Sequence, residues 1–260
     1  MYQMIDPATL TVFITGATSG FGEAAARRFA GAGSRVVATG RRRDRLIDLQ
    51  NELGPEFCHI AELDVRDKPA IDAVIAALPP SFARINVVYA NAGLALGLQP
   101  AHETELSDWE EMIETNVMGL AYTVRALLPG MVERKEGHVI TMGSVAADYP
   151  YPGGSTYAGS KAFVKQFALA LRADLLGKNV RVTNVEPGMT ETEFSVVRFK
   201  GDQGKADNVY AGMTPMTAAD VAESVFWVAT LPRHFNVNRI QMMPVEQAFG
   251  PFAVHRESKP

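Results

Sequence analysis

The sequence has little of several features that mark particular classes of protein. It contains one cysteine, Cys58, among 260 residues, so an intramolecular disulfide is excluded and a reducing compartment suits the chain. Cys58 lies inside an apolar stretch, which gives it little support as a nucleophile. No apolar run is long enough to cross a bilayer, and the first ten residues, with Asp6, Pro7 and no basic start, do not resemble a signal peptide. We therefore expect a cytoplasmic protein.

The chain also lacks an excess of basic charge. It has 25 Lys and Arg against 29 Asp and Glu, a formal net charge of -4, so we expect no nucleic-acid partner. It contains no internal repeat or low-complexity linker, and 47% of its residues are hydrophobic, which is sufficient for one substantial core. The sequence thus predicts a single domain over residues 1–260.

Strand-like and helix-like stretches alternate along the chain. The strand-like stretches are 10–14, 35–39, 58–65, 85–90, 138–142, 180–185 and 240–243, and the helix-like stretches are 23–32, 44–53, 68–78, 107–131, 157–176 and 218–230. This alternation predicts an α/β fold, a Rossmann-like doubly wound parallel sheet of about seven strands with helices on both faces. Ligands of such sheets bind outside the carboxyl ends of the strands.

A glycine-rich turn joins the first strand to the first helix. Gly16, Gly20 and Gly22 follow Thr15 with the spacing G-x-x-x-G-x-G, which departs from the usual dinucleotide fingerprint G-x-G-x-x-G. Glycines let a backbone approach a pyrophosphate closely, and the N–H groups at the start of the next helix attract its charge. A plain glycine turn has the same composition, but the position between a strand and a helix favours a nucleotide site.

Arginines follow the second strand, where an NAD-binding fold places an acidic residue. Arg41, Arg42 and Arg43 come directly after Gly40, and guanidinium groups there can bind a 2′-phosphate. The sequence therefore predicts NADP(H) as the cofactor. A solvated basic start of a helix would account equally for Arg43 and Arg45, and less clearly for Arg42, so Arg41 is the leading candidate.

Three polar residues predict a proton-transfer site. Tyr157 and Lys161 are four residues apart and share one face of a helix, where the ammonium favours the phenolate and lowers the pKa of the phenol. Ser144 ends a strand-like stretch, where its hydroxyl can hold the same substrate oxygen. Asn116 interrupts the helix-like stretch 107–131, which fits a catalytic role, a core asparagine or a helix kink.

Together these motifs resemble those of the short-chain dehydrogenases/reductases. The shared motifs are T-G-x-x-x-G-x-G at 15–22, Asn91-Ala92-Gly93, Asn116, Ser144, Tyr157-x-x-x-Lys161 and Pro187-Gly188, and they span nearly the whole chain, with Ala90 where the family often has Asn. The resemblance implies that Tyr157 is the general acid/base and that Lys161 lowers its pKa and holds the nicotinamide ribose. It further implies that Ser144 orients the substrate oxygen and that Asn116 supports a water-linked proton relay.

The same resemblance implies a set of residues that bind NADP(H). They are Gly16, Thr18, Ser19, Gly20, Phe21, Gly22, Arg41, Arg42, Asp64, Val65, Asn91, Gly93, Tyr157, Lys161, Pro187, Gly188, Thr190 and Thr192. Asp64 is expected near the adenine amine, and Asn91 and Gly93 along the adenosine ribose. Thr190 and Thr192 are expected to hold the carboxamide and the lid. Hydride transfer of this kind needs no metal.

A lid and a substrate pocket are also expected. The longest irregular stretch, 189–217, carries mixed charge among glycines, which predicts either a substrate lid or a solvated surface. Arg198 or Lys200 would bind an anionic end of the substrate. Tyr149 and Tyr151, in the loop after Ser144, either wall a small pocket or pack the turn.

Three runs, 91–97, 197–202 and 242–245, resemble the bacterial NADP-dependent 3-hydroxy acid dehydrogenases. This subgroup implies hydride transfer between NADP(H) and a short-chain hydroxy acid, such as serine or allo-threonine, or its carbonyl, such as malonic semialdehyde. The alternatives are a sulfoacetaldehyde reductase, which forms isethionate, and a non-catalytic NADP(H)-sensing protein. The family is commonly tetrameric, so we expect a homotetramer in which the C-terminal tail, 246–260, with Phe249 and Phe252, caps a neighbouring subunit's site.

Overall fold

A parallel sheet forms the centre of the protein, in a computed structural model that describes residues 3–250 and 253–256. The strands in chain order are β1 Thr11–Thr15, β2 Arg35–Gly40, β3 Cys58–Glu62, β4 Val87–Ala90, β5 Gly137–Met142, β6 Val180–Pro187, β7 Thr190–Glu191, β8 Met216–Thr217 and β9 Arg239–Met242. Seven of them form one sheet in the order β3-β2-β1-β4-β5-β6-β9 with parallel pairings, and β7 pairs with β8. The predicted parallel sheet is confirmed.

Helices cover both faces of this sheet. They are α1 Gly20–Ala30, α2 Arg43–Leu53, α3 Lys68–Ala76, α4 Leu106–Ile113, α5 Leu120–Arg134, α6 Ser155–Asp174, α7 Glu193–Arg198, α8 Gln203–Tyr210 and α9 Ala218–Thr230, with 3-10 turns at Pro7–Thr9, Ala101–Glu103 and Val145–Ala147. Successive strand residues point to opposite faces. Val12 and Ile14 of β1 therefore pack with α1, α2 and α9, and Phe13 packs with α3, α5 and α6. Among the described residues, none of these helices is long and apolar enough to span a membrane.

The strand order places a crevice at the carboxyl edge of the sheet. The chain builds outward from β1 to β2 and β3, then returns to place β4 on the other side of β1. The loops that follow the adjacent strands β1 and β4 consequently lead away from each other. Ligands of such sheets bind in the gap between two loops of this kind. The glycine turn after β1 and Asn91 after β4 lie at this position.

The structure corrects the single helix expected over 107–131. The segment consists of α4, a π-helical turn Glu114–Gly119, and α5, and Asn116 lies within the π turn. A π turn inserts one extra residue per turn and occurs frequently at functional sites. The sequence shows the interruption at Asn116, but a turn of six residues is too short for the pattern to distinguish a π turn from a kink.

The stretch 189–217 is likewise more regular than expected. It contains the short strands β7 and β8 and the helices α7 and α8. Side chains cap both helices, because Thr192 accepts a hydrogen bond from Phe194 N and Asp202 accepts one from Lys205 N. Helix α7 has six residues and α8 has eight, and both are too short to give a clear periodic signal in the sequence.

His138 is a titratable residue that lies in the core of the protein, on β5 of the central sheet. It is 2% exposed in β5, and its Nε2 lies 2.8 Å from Thr183 Oγ1. The Thr183 hydroxyl donates to Val237 O, so Nε2 carries the hydrogen and Nδ1 is a buried acceptor without a partner among the described residues. Burial, with a further contribution from the charge of Arg181, holds the pKa of His138 well below its ordinary value.

This burial predicts a loss of stability in acid. The unfolded chain takes up a proton at His138 near pH 6.5, whereas the folded protein does so only at lower pH, so the stabilisation is complete above about pH 6.5 and is lost as the pH falls below it. His138→Gln keeps a donor to Thr183 but cannot titrate. Its free energy of unfolding in urea should change less between pH 7 and pH 5 than that of the wild type. His234→Gln, at an exposed histidine, is the control. An equal pH dependence of the free energy of unfolding in the His138 variant and the wild type would contradict this account.

Candidate active site

The carboxyl ends of β1, β4, β5 and β6 open onto a cavity of about 440 Å³. Most residues of the predicted site line it: Gly16, Thr18, Ser19, Gly20, Phe21, Arg41, Arg42, Asp64, Val65, Asn91, Gly93, Ser144, Tyr149, Tyr151, Tyr157, Lys161, Pro187, Gly188, Thr190, Thr192 and Arg198. Gly22, Asn116 and Lys200 are not among the lining residues. The topology therefore brings motifs from the whole chain to one site, and three predicted residues lie behind or outside it.

The glycine turn forms one end of the cavity. Gly16 and Gly20 have φ of +68° and +54°, values that side-chain-bearing residues rarely adopt. A Cβ on Gly22 would lie 2.3 Å from Gly16 O, so Gly22 allows α1 to start tightly against the turn. Ser19, the N-cap of α1, makes no side-chain capping bond. The first N–H groups of α1 thus lack a side-chain acceptor, and this arrangement suits a pyrophosphate.

The two predicted phosphate-binding arginines are placed differently. The Arg41 side chain is 56% exposed, and its ion pair with Glu111 spans 3.7 Å. Arg42 donates to Thr18 Oγ1 at 3.1 Å and to Glu193 Oε2 at 2.9 Å, so its guanidinium already has close partners. Because a loosely held guanidinium can turn toward a phosphate at little cost, Arg41 is the better placed of the two.

Two further predicted cofactor residues have partners within the protein. Asn91 donates through Nδ2 to Thr15 O at 2.9 Å and through its backbone N–H to Thr15 Oγ1 at 3.0 Å, so it ties the end of β4 to the start of the glycine turn. Asp64 lies just after β3, and a bond from Arg66 Nη2 at 2.6 Å holds the pKa of its carboxyl low. Both residues still line the cavity.

Ser144 and Tyr157 lie together at the other end of the cavity. Ser144 follows β5 and accepts a hydrogen bond from Ala146 N at 3.1 Å, which orients its hydroxyl. Tyr157 lies in the first turn of α6, and its hydroxyl is within hydrogen-bonding reach of the Ser144 side chain. The ring of Tyr157 packs 5.5 Å from that of Phe194, centroid to centroid. The pair thus presents two hydroxyls to the same point in the cavity.

Lys161 does not act on Tyr157 in the way the sequence predicts. Its Nζ donates to Met142 O at 2.8 Å and lies 5.8 Å from the centroid of the Tyr157 ring. Burial raises the pKa of Tyr157 to about 12, and the charge of Arg198, not of Lys161, partly offsets it. Burial also lowers the pKa of Lys161 to about 8. The predicted lowering of the tyrosine pKa is therefore wrong for the protein alone, since desolvation of both groups outweighs their attraction.

Asn116 contacts α6, the helix that carries Tyr157, without lining the cavity. Its Nδ2 donates to Leu94 O at 2.8 Å and to Ser160 Oγ at 3.0 Å, and its Oδ1 accepts from Leu94 N at 2.9 Å. These bonds fasten the chain after β4 to α6. The observed bonds give Asn116 a positioning role, and its place in a proton relay stays a prediction.

Arg198 at the end of α7 brings a positive charge close to Tyr157. Its Nη2 donates to the Tyr151 hydroxyl at 2.8 Å, and its Cζ lies 5.1 Å from the centroid of the Tyr157 ring. Its Nε is buried without a hydrogen-bond partner among the described residues. Lys200 instead binds Asp108 at 2.9 Å, away from the cavity. Of the two predicted anion-binding residues, the structure therefore places Arg198 at the site.

Tyr149 and the C-terminal tail close the remaining side. The Tyr149 and Phe249 rings are 5.7 Å apart, and Gln247 and Gly250 line the cavity of their own chain. Gln247 Oε1 accepts from Met189 N at 2.8 Å, which joins the tail to the segment after β6. The predicted contact of the tail with a neighbouring subunit stays a prediction, and Phe252 lies outside the described residues.

Several residues at the site have no signal in the sequence. Glu193 receives bonds from Arg42 and Arg45 across the mouth of the cavity, although about 150 residues separate the partners. Tyr210 of α8 donates to Thr190 O at 2.9 Å. Such contacts depend on how the segment 189–217 folds over the sheet, and neither periodicity nor a local motif encodes them.

Comparison with known protein families gives one match that covers most of the chain. The model of the short chain dehydrogenase family matches residues 10–203. The NADP-dependent 3-hydroxy acid dehydrogenase YdfG of Escherichia coli strain K12 is 53% identical over 249 residues, which are 95% of this chain and 100% of that protein. Serine 3-dehydrogenase of Agrobacterium fabrum is 51% identical over 248 residues, 95% of this chain and 99% of that protein.

Solved structures give the same result. The closed form of a serine dehydrogenase complexed with NADP+ superimposes with a TM-score of 0.91 at 53% identity, covering 95% of this chain and 99% of that one. Levodione reductase superimposes with a TM-score of 0.82 at 21% identity, over 93% of this chain and 97% of that one. The latter similarity concerns the fold alone.

Proposed function

The chain belongs to the short-chain dehydrogenase family, and on that premise we propose that it transfers a hydride between NADP(H) and a short-chain 3-hydroxy acid, or its carbonyl. The predicted family and the NADP-dependent oxidoreductase class are confirmed by the relatives, which are an NADP-dependent 3-hydroxy acid dehydrogenase and serine dehydrogenases. The observation that carries the substrate class is the position of Arg198 beside Tyr157.

The cavity fits this cofactor. The open N-terminus of α1 suits the pyrophosphate, and Arg41, exposed and loosely paired, suits the 2′-phosphate. Lys161 and Tyr157 at the far end suit the nicotinamide ribose, as the family pattern implies. NADP(H), when bound, supplies or accepts the hydride. The role of each of these residues is part of the proposal.

The residues at the catalytic end do the proton chemistry. With a pKa raised to about 12, Tyr157 carries its proton at neutral pH and is prepared to donate it to an oxygen that gains negative charge. Ser144, within reach of the same hydroxyl, holds that oxygen in place. The surrounding apolar side chains of Leu94, Ala95 and Met112, with Phe194, keep water away from the reacting atoms.

Arg198 selects an anionic substrate. Its buried Nε, which has no hydrogen-bond partner among the described residues, and its position 5.1 Å from the Tyr157 ring support binding of a carboxylate a few atoms from the oxygen that Tyr157 would protonate. Three-carbon acids such as serine and malonic semialdehyde have this separation. A sulfonated aldehyde has a similar anion, so sulfoacetaldehyde is the alternative substrate that the same experiments test.

The remaining expectations form part of the proposal. We propose that 189–217 acts as the substrate lid and 246–260 as a covering tail of one domain, and that the protein works in the cytoplasm as a homotetramer. Exposed apolar side chains support association, since Trp227 on α9 and Phe163 on α6 are 44% and 40% exposed.

Tyr157→Phe tests the proton donor. Removing only the hydroxyl should lower turnover of NADPH with malonic semialdehyde by about 100- to 10,000-fold, because a positioned acid contributes that much. NADPH binding, followed by fluorescence, should stay nearly unchanged. Tyr122→Phe, on α5 and outside the cavity lining, is the matched control. A wild type that binds NADPH but turns over neither malonic semialdehyde, sulfoacetaldehyde nor serine with NADP+ would favour the sensing protein instead.

Arg41→Ala tests the choice of cofactor. Loss of a charge-assisted hydrogen bond to the 2′-phosphate should raise the dissociation constant for NADPH by about 10- to 100-fold, while that for NADH changes little. Dissociation constants for both cofactors give the comparison. The neighbouring Arg43 does not line the cavity, so Arg43→Ala should leave both values unchanged. An equal loss for NADPH and NADH in the Arg41 variant would remove the phosphate assignment.

Arg198→Gln tests the anion site. The KM for malonic semialdehyde, or for serine in the reverse direction, should rise by about 10- to 100-fold, since a buried carboxylate loses its charged partner. The pH profile should also move to higher pH, because the charge of Arg198 lowers the pKa of Tyr157. Lys200→Gln, which removes a cation from the same lid, is the control. If the Lys200 variant raised KM as much, the assignment to Arg198 would be wrong.

A further inference from the structure

A chain of four charged side chains lies behind Ser144, outside the chemistry described so far. Asp148 ends the segment 144–148, Lys165 lies on α6, Glu186 on β6 and Arg239 on β9. Lys165 and Arg239 both donate to Asp148, and Arg239 also donates to both carboxylate oxygens of Glu186, at 2.9 and 2.7 Å. Two positive and two negative charges thus balance, and Arg239 supplies the charged partner that the fully buried Glu186 requires.

The chain of charges contacts the backbone that carries Ser144. Glu186 is fully buried, and a Cβ on Gly143 would lie 2.9 Å from its Cγ and 2.8 Å from Asn184 Nδ2. Asn184 Nδ2 donates to Glu186 Oε1 at 2.6 Å, and Gly143 N donates to Val185 O at 2.7 Å. Glu186 therefore supports the residue directly before Ser144, and Asp148 anchors the segment four residues after it.

The same charges reach the helix that carries Tyr157. Lys165 lies one turn after Lys161 and two turns after Tyr157, so all three share one face of α6. The bond from Lys165 to Asp148 consequently joins the Ser144 segment to α6 at a second point. Ser144 and Tyr157 belong to different elements, and their relative position depends on how those elements are held together.

We infer that Asp148 and Arg239 are positioning residues for the reaction: they hold the segment 144–148 against α6 and the sheet edge so that the Ser144 hydroxyl stays in register with Tyr157. The fork of Arg239 spans two carboxylates on different elements, which a point charge cannot do. The kinetic part of this inference rests on the proposed function. Small displacements of catalytic groups lower turnover strongly, by up to about 100-fold per ångström.

Two variants test the inference. Asp148→Asn keeps the size of the side chain and removes its charge, and Arg239→Lys keeps a cation beside buried Glu186 while losing the fork. Each should lower kcat for NADP+ with serine by about 10-fold, with the dissociation constant for NADPH nearly unchanged. Glu223→Gln removes an ion pair with Arg28 between α9 and α1, remote from the site, and should leave kcat unchanged.

A double-mutant cycle identifies the residue through which the two act. If Asp148 works by positioning Ser144, then Asp148→Asn should lower kcat far less in a Ser144→Ala background than in the wild type. Equal losses in both backgrounds, or a loss of NADPH binding that matches the loss of kcat, would overturn the inference in favour of a general structural role.

Hydrogen exchange gives a measure that needs no substrate. In Asp148→Asn and Arg239→Lys, the amides of 144–149 should exchange at least about 10-fold faster, while those of α1 and α2 stay unchanged. Unchanged exchange at 144–149 would overturn the inference whatever the turnover. A wild type without turnover on serine, combined with faster exchange in the variants, would instead reject the proposed function and leave the positioning of the segment intact.

Discussion

The site depends on one buried hydrogen bond, from Lys161 Nζ to the carbonyl of Met142, at 2.8 Å. It joins α6 to the last residue of β5, two positions before Ser144. Because Tyr157 lies one turn earlier on α6, the same bond sets where its ring stands relative to Ser144. A buried ammonium costs free energy unless it is bonded, so the sheet edge must supply an acceptor, and the carboxyl end of a parallel strand does so.

Burial, more than attraction between charges, sets the protonation of this pair. The pKa of Tyr157 rises to about 12 and that of Lys161 falls to about 8. Both shifts favour the neutral form of each group, so at neutral pH the tyrosine holds its proton and the site is arranged as an acid. The charge of Arg198, which partly offsets the rise in the Tyr157 pKa, lies at the end of α7. Under the proposed function, the acidity of Tyr157 therefore depends on a residue that also binds the substrate.

The sequence predicts the parts of this structure that local pattern controls. Apolar runs located the strands of the main sheet to within a few residues, and the glycine turn, Ser144 and the Tyr157–Lys161 pair lie at its carboxyl edge as expected. The sequence does not predict quantities that depend on packing. The rise in the pKa of Tyr157 follows from its burial, and the π turn at Asn116 from the accommodation of one extra residue. The Glu193 contacts follow from how the segment 189–217 folds.

Helix α7 connects the two ends of the cavity through its terminal residues. Glu193, its first residue, binds Arg42 and Arg45 beside the glycine turn, and Arg198, its last, binds Tyr151 beside Tyr157. A helix of six residues is about 9 Å long and too short to be stable alone, so its order comes from these end contacts. Contacts of Glu193 beside the glycine turn thereby help to fix the Arg198 guanidinium beside Tyr157. If 189–217 is a lid, as proposed above, binding energy at one end would be available to organise the other, as in lids that assemble a site when they close.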